Sequence, residues 1–375
     1  MKAQAKLIAL IMMLVMFSPF AIDFYISTLP TISEQFGHNG GLTLSAYMLA
    51  LGVGQFFVGN IYDKHGPFKL VSVSIAVFTL TSIAIYYSGT FYQLLALRCV
   101  QGFATSGIAL SALAMVKDNF NEKEGAKLYG YINSMMNVAP AVTPLLGAWI
   151  FEITGQWQML FIGLAIYGVF VFPYLLASKD APKWNNKKEL DADYSFFKNK
   201  KYQQYGMVSV FSLGTLMLYV TIVSPLTQNE LGFSEYNFSF YFGFVGFSML
   251  LSGIIFGKLV EKKSLEYLFS VGQMIVVISA LLTIVSLHQA HFILGAFLFF
   301  CTGFIFLIAS STSLMLSEFT EDTGKAVSIV SACQMILGAI LGASVSFSPL
   351  TLSESFLLVI LLYLSTTVYV RVVRN

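Results

Sequence analysis

A chain of 375 residues that is 57% hydrophobic and only 11% charged does not read as a water-soluble domain, in which roughly 25% of residues are charged. Twelve spans of about 20 residues, each long enough for a hydrocarbon core of roughly 30 Å, fit the length with short loops to spare. The formal net charge of +2 is too small to suggest nucleic acid, and in a membrane chain the placement of the basic residues carries more information than their sum.

Apolar runs bounded by polar or Gly/Pro clusters occupy residues 7–28, 42–62, 70–88, 94–116, 128–150, 158–177, 206–227, 237–259, 266–287, 292–316, 326–347 and 353–373. Runs of this length satisfy their own backbone as helices and are too long for the alternating strands of a membrane barrel. An all-α membrane protein of twelve transmembrane helices is therefore expected. The first run is longer than a signal-peptide core, contains Asp23, lacks a small-residue cleavage site and precedes many more spans, so it reads as a retained helix.

Basic residues set the orientation. Lys2 and Lys6 precede the first span; Lys64 and Lys69 follow the second; Lys117, Lys123 and Lys127 follow the fourth. Seven lysines from Lys179 to Lys201 follow the sixth, three from Lys258 to Lys263 the eighth, Lys325 the tenth, and Arg371 and Arg374 close the chain. Twenty of the 21 Lys and Arg residues thus fall on one side, while the opposite loops carry Glu34, Glu152, Glu230, Glu235 and Glu354 and no basic residue. By the positive-inside rule both termini are expected in the cytoplasm. A single missing span would scramble this separation.

The longest polar segment divides the chain into an N-terminal bundle of six spans (residues 1–177), a cytoplasmic linker (178–203) and a C-terminal bundle of six (204–375). The second span of each half ends alike, in Gly59-Asn-Ile-Tyr-Asp63-Lys64 and in Gly257-Lys-Leu-Val-Glu261-Lys262. That recurrence suggests a parallel repeat, two pseudo-symmetric six-helix bundles around a central cavity.

Asp23 and Arg98 are the two formal charges well inside the predicted spans. Each costs at least ~2.5 to 3.5 kcal/mol on insertion scales unless a partner, a hydrated cavity or a function accounts for it. Asp23 lies late in an outward span and Arg98 early in an inward one, so both fall in the outer half of the membrane, within reach of each other directly or through water. Two readings stand. Asp23 is the site of protonation, with burial favouring the acid and the guanidinium favouring the carboxylate; or the two form a fixed pair that locks the first span to the fourth. The chain offers no other intramembrane acid.

Polar side chains in the spans supply cavity candidates: Tyr47 and Gln55 in the second, Gln101 in the fourth, Asn133 and Asn137 in the fifth, Tyr219 in the seventh and Gln334 in the eleventh. The commoner role of such a side chain is an interhelical hydrogen bond, ahead of a substrate contact. Gly102 allows close helix packing. Pro140 and Pro144 free backbone carbonyls and bend the fifth span, as a hinge or as a static kink.

Absences narrow the function. Gly253 to Lys258 is one residue short of a phosphate-binding loop and continues with Leu259, so ATP is not expected to drive the protein. The four histidines fall in or beside loops, and Cys99, Cys301 and Cys333 lack metal or disulfide spacing. No metal site and no enzyme active site is expected.

The ordered motifs resemble the major facilitator superfamily, and within it the Bcr/CflA type of bacterial drug:proton antiporter. Asp23-Phe-Tyr-Ile-Ser-Thr-Leu29-Pro30 is similar to the signature that ends the first helix. Gly59 to Asp63, Lys64 and Gly66 resembles the loop motif after the second helix, although Pro67 and Phe68 stand where a pair of arginines is usual. Arg98-Cys-Val-Gln101-Gly102 is similar to the fourth-helix motif, and Pro140, Pro144 and Gly147 to the fifth-helix antiporter motif. The resemblance implies the major facilitator fold, alternating access, export of small, partly lipophilic molecules, and proton coupling through Asp23 supported by Arg98. It further implies gating roles for Gly59, Asp63, Lys64, Gly66, Pro140, Pro144 and Gly147. No cofactor beyond the proton gradient, no nucleic acid and a monomer in the bacterial inner membrane are the accompanying expectations. An exporter of an endogenous metabolite such as a siderophore or amino-acid derivative, and a non-transporting membrane receptor or assembly partner, remain as alternatives.

Overall fold

Apolar segments in a bilayer must close every backbone hydrogen bond within themselves, and the computed structural model of the protein is helical accordingly. It describes residues 2–120, 122–177, 198–317 and 323–374, with no strand among them. The chain divides into two compact units, Met1–Asp191 and Ala192–Asn375. The division falls inside the expected linker, of which residues 178–197 lie outside the described residues.

The first unit holds α1 (Lys2–Val15), α2 (Phe17–Asp23), a short 3-10 turn (Ile26–Thr28), α3 (Leu29–Phe36), α4 (Gly41–His65), α5 (Pro67–Tyr86), α6 (Phe91–Asn119), α7 (Glu122–Thr154) and α8 (Gln158–Ala177). The second holds α9 (Lys200–Pro225) continued by a π turn (Leu226–Glu230), α10 (Glu235–Leu259), α11 (Leu265–Ser286), α12 (Phe292–Leu316), α13 (Thr323–Val345) and α14 (Leu352–Arg374). Polar caps start several of these helices. Thr90, Asn199, Ser234 and Ser264 each accept a hydrogen bond from the backbone N–H three residues on, satisfying a donor that the first turn leaves free.

Among the described residues, eleven stretches are long and apolar enough to cross a membrane, the first running from Ala5 to Phe36 through α1, α2 and α3. The twelfth span is α7. Its apolar stretch Val138–Thr154 is shorter than the other eleven among the described residues, but the helix as a whole, at 33 residues, reaches about 50 Å.

The internal repeat is visible in packing. In the first unit α4 and α5 lie along α6, α5 along α8, and the first span against α6 and α7. In the second, α10 and α11 lie along α12, α11 along α14, and α9 against α12 and α13. Matched in chain order, the same pairs of spans touch in both units. The α4–α5 reversal rests on Gly66, whose φ of 80° favours glycine, followed by Pro67 in the first turn of α5, where a missing N–H costs nothing.

Candidate functional site

Two prolines break the first span. Pro19 has no N–H to offer the carbonyl four residues back and its ring crowds that carbonyl; α1 accordingly ends at Val15 and α2 begins at Phe17. Pro30 acts likewise on Ile26. The chain tightens there into the 3-10 turn, with the Thr28 amide donating to the carbonyl of Tyr25 at 3.0 Å and the Thr28 hydroxyl to the same oxygen at 2.8 Å. The apolar run read as 7–28 is therefore interrupted twice and continues as helix to Phe36. Asp23 is the last residue of α2, at the second break, and only 5% exposed. Among the described residues its carboxylate makes no hydrogen bond and no ion pair.

Arg98, on α6, is completely buried. Its Nη2 donates to the carbonyl of Ala21 at 2.9 Å and to the Tyr25 hydroxyl at 3.2 Å. Its Nε donates to the carbonyl of Thr43 at 3.5 Å, and its Nη1 to Oε1 of Gln101. Gln101 passes the chain on, donating to the Ser82 hydroxyl of α5 at 2.7 Å. The guanidinium carbon lies 4.7, 4.3 and 5.5 Å from the ring centres of Tyr25, Tyr47 and Phe161, within the range of cation–π attraction. The direct Asp23–Arg98 pair allowed by the sequence is thus absent among the described residues. Arg98 is held by carbonyls, hydroxyls, an amide and π faces, and its charge sits at the C-terminal end of α2, where helix carbonyls present partial negative charge.

Small residues bring these groups together. A side chain at Gly102 would collide with the carbonyl of Tyr47, so glycine lets α6 lie directly on α4. A Cβ at Gly147 of α7 would likewise strike the carbonyl of Phe24, the residue after Asp23, while one at Gly163 of α8 would meet the Phe24 ring at 3.1 Å. The helix of Pro140, Pro144 and Gly147 is unbroken from Glu122 to Thr154, and Gly147 seats it against the break in the first span.

The structure therefore gathers Arg98, Tyr47 and Gln101 into one cluster, with Asp23 at the helix end that Arg98 caps. Sequence reasoning missed Tyr25, Thr43 and Ser82 in this cluster; Tyr25 lies two residues beyond Asp23 within the quoted motif, which is the one signal that marked it. Gln55 is half-buried on α4. Tyr219 and Gln334 belong to the second unit. Tyr219 stacks on Phe242 with ring centres 5.9 Å apart and meets Phe297 edge-on at 4.9 Å, whereas Gln334 donates to the carbonyl and hydroxyl of Ser209 at 3.1 and 3.0 Å. A side chain at Gly59 would meet nothing within 4 Å, and Lys64 is exposed. The side chains of Asp63, Asn133 and Asn137 lie outside the described residues. No group of three His, Cys, Asp or Glu residues that could hold a metal occurs among the described residues.

Comparison with known proteins accords with this architecture. The chain is 27% identical to an uncharacterized MFS-type transporter, YdgK, of Bacillus subtilis, over 93% of this chain and 90% of that one. It is 23% identical to the multidrug resistance protein MdtL of Klebsiella pneumoniae, over 88% of each. It is equally 23% identical to a bicyclomycin resistance protein homolog of Haemophilus influenzae, over 88% of this chain and 86% of the relative. The drug-efflux branch that the motifs resemble is thus represented among its relatives. The crystal structure of a D-xylose-proton symporter has the same fold, with a TM-score of 0.83 and 14% identity over 97% of this chain and 96% of that one. The sequence matches the Major Facilitator Superfamily over residues 11–343, and a polytopic chain of two packed repeats of six spans, with these motifs in order, belongs to that superfamily of membrane transporters and is not an enzyme.

Proposed function

We propose that the protein exports small, partly lipophilic, neutral or singly cationic molecules across the bacterial inner membrane in exchange for protons, by alternating access, with both termini in the cytoplasm. The observation that carries this reading is Asp23: a buried carboxyl group at a helix break, with no cation paired to it. Burying its charge costs at least ~2.5 kcal/mol, whereas the protonated form is neutral. A proton taken from outside and a substrate arriving from inside then stabilise the same site alternately. Arg98 takes no part in the proton transfer on this reading. It holds the end of α2 and leaves the carboxyl unneutralised.

In the second unit Gln334, one of the side chains that would recognise a hydrophilic metabolite, already donates to Ser209, and the Tyr219 ring is set among phenylalanines. This supports a lipophilic substrate over a polar metabolite. The relatives named for multidrug and bicyclomycin resistance support the same class. The proton gradient is the proposed energy source, with no bound cofactor, and the monomer the proposed unit.

The test is a deletion strain complemented with the gene. Rising susceptibility to lipophilic cationic drugs on deletion, reversed by complementation, is the expected result. Unchanged susceptibility together with lost secretion of an endogenous metabolite would replace this reading with the metabolite exporter.

A further inference from the structure

The first unit carries a groove of about 330 Å³ between α7 and α8, at the lower end of the roughly 300–1,000 Å³ of small-molecule sites. Half-buried Phe20 and Phe24 form its floor. Its mouth is formed by Leu146, Ile166 and Phe170, which are 45%, 63% and 67% exposed. Ile166 and Phe170 lie in a helix long and apolar enough to cross a membrane, and Leu146 in the apolar stretch Val138–Thr154, so a mouth of exposed apolar side chains at this place suits hydrocarbon better than water. The one polar side chain on the wall is Tyr167, whose hydroxyl donates to the carbonyl of Met13 at 2.6 Å. The groove therefore offers its occupant no free donor, and its one side-chain acceptor is a hydroxyl oxygen already turned to Met13. A ligand with polar groups would lose their hydration there without replacement, which is costly, whereas an unbranched hydrocarbon loses nothing. Gly163 makes the depth available: a side chain there would project onto the Phe24 ring.

We propose that this groove binds one acyl chain of a bilayer phospholipid, seated against Phe24 and hence against the helix break that ends in Asp23. The apolar lining suits a single chain and gives the headgroup no polar partner, so the headgroup stays at the interface. The site lies outside the polar cluster around Arg98 and is independent of which molecule the protein transports.

The full-length protein is reconstituted in phosphatidylethanolamine/phosphatidylglycerol vesicles containing increasing fractions of a phosphatidylethanolamine with a diazirine in one acyl chain. After irradiation, label on residues 158–177 is quantified by mass spectrometry. Labelling is expected to saturate with probe fraction and to be displaced by unlabelled phosphatidylethanolamine. It should fall about tenfold, equivalent to ~1.4 kcal/mol of lost binding, in Gly163→Leu, which fills the groove, and in Ile166→Trp, which covers its mouth from an exposed position and spares the fold. Leu281→Trp, on an exposed site of α11, serves as the control and should leave it unchanged. Labelling that rises linearly with probe fraction and is the same in the Ile166→Trp protein would overturn the proposal, because the groove would then be ordinary bilayer contact. Displacement by the lipophilic dye rhodamine 6G but not by phospholipid would also overturn it, making the groove a path for transported molecules.

Discussion

The guanidinium of Arg98 donates to the carbonyl oxygen of Ala21 at 2.9 Å, two residues before Asp23, and not to the carboxylate. In a continuous helix that carbonyl would accept the amide of Tyr25. The chain breaks there, no such bond is present among the described residues, and the arginine takes the vacant place. The buried cation and the buried acid of the first unit are thus placed separately, one as a helix cap and one as a carboxyl group with no hydrogen bond or ion pair among the described residues.

Separate roles imply near-additive substitutions. Arg98→Ala leaves the carbonyl of Ala21 and Oε1 of Gln101 without their donor, and a buried acceptor so orphaned costs about 1–3 kcal/mol. Asp23→Asn removes no ionic contact to Arg98. In a double-mutant cycle on unfolding free energy in detergent, the coupling between the two is expected to stay within about 0.5 kcal/mol. A coupling several times larger would restore the fixed pair.

Glycines that look alike in sequence separate in structure. At Gly102 an alanine methyl would overlap the carbonyl of Tyr47, whereas at Gly257 it would meet nothing within 4 Å. Gly102→Ala is expected to destabilise by about 1–3 kcal/mol through overpacking. Gly257→Ala is expected to be neutral or to stabilise by up to about 1 kcal/mol through helix propensity. Thermal unfolding of the two purified variants in detergent compares them directly.

Gly147 and Gly163 both face Phe24 but oppose different atoms. The first meets a backbone oxygen fixed at the break and the second the far edge of a ring that can turn. Gly147→Ala is expected to lower transport by about tenfold or more, a change of ~1.4 kcal/mol in the barrier, with Gly163→Ala close to wild type. Dye efflux from cells with matched expression distinguishes them.

In the second unit the hydroxyls of Ser212 and Tyr363 lie 2.6 Å apart, joining α9 to α14. Tyr363→Phe removes that bond while keeping the ring, so a loss of about 1 kcal/mol in stability is expected. Substrate preference should not change, as drug-susceptibility profiles would register.

Twelve helical segments were legible, eleven of them long and apolar enough to cross a membrane among the described residues, because insertion acts through apolar length, a quantity that a sequence displays. The two halves were legible from the repeated Gly-to-Lys punctuation, and the matching helix pairs in each unit carry the same symmetry. The interruption of the first span was partly legible: Pro19 lay inside the apolar run and Pro30 just beyond it, yet hydropathy weighs neither as a break. The partners of Arg98 were not legible. Two of them are the carbonyls of Ala21 and Thr43, and a backbone oxygen leaves no mark on residue identity. An acid and a base at one depth suggested each other, when the base was instead answered by helix carbonyls and aromatic faces.

The central claim is that Asp23 carries the exchanged proton. Proton movement in inverted membrane vesicles on addition of a transported drug measures it most directly, comparing wild type with a correctly folded Asp23→Asn protein. The account predicts proton release from the wild-type vesicle interior and none with the variant, because asparagine cannot give up a proton. Drug-dependent proton movement that persists in Asp23→Asn at a wild-type rate would contradict it.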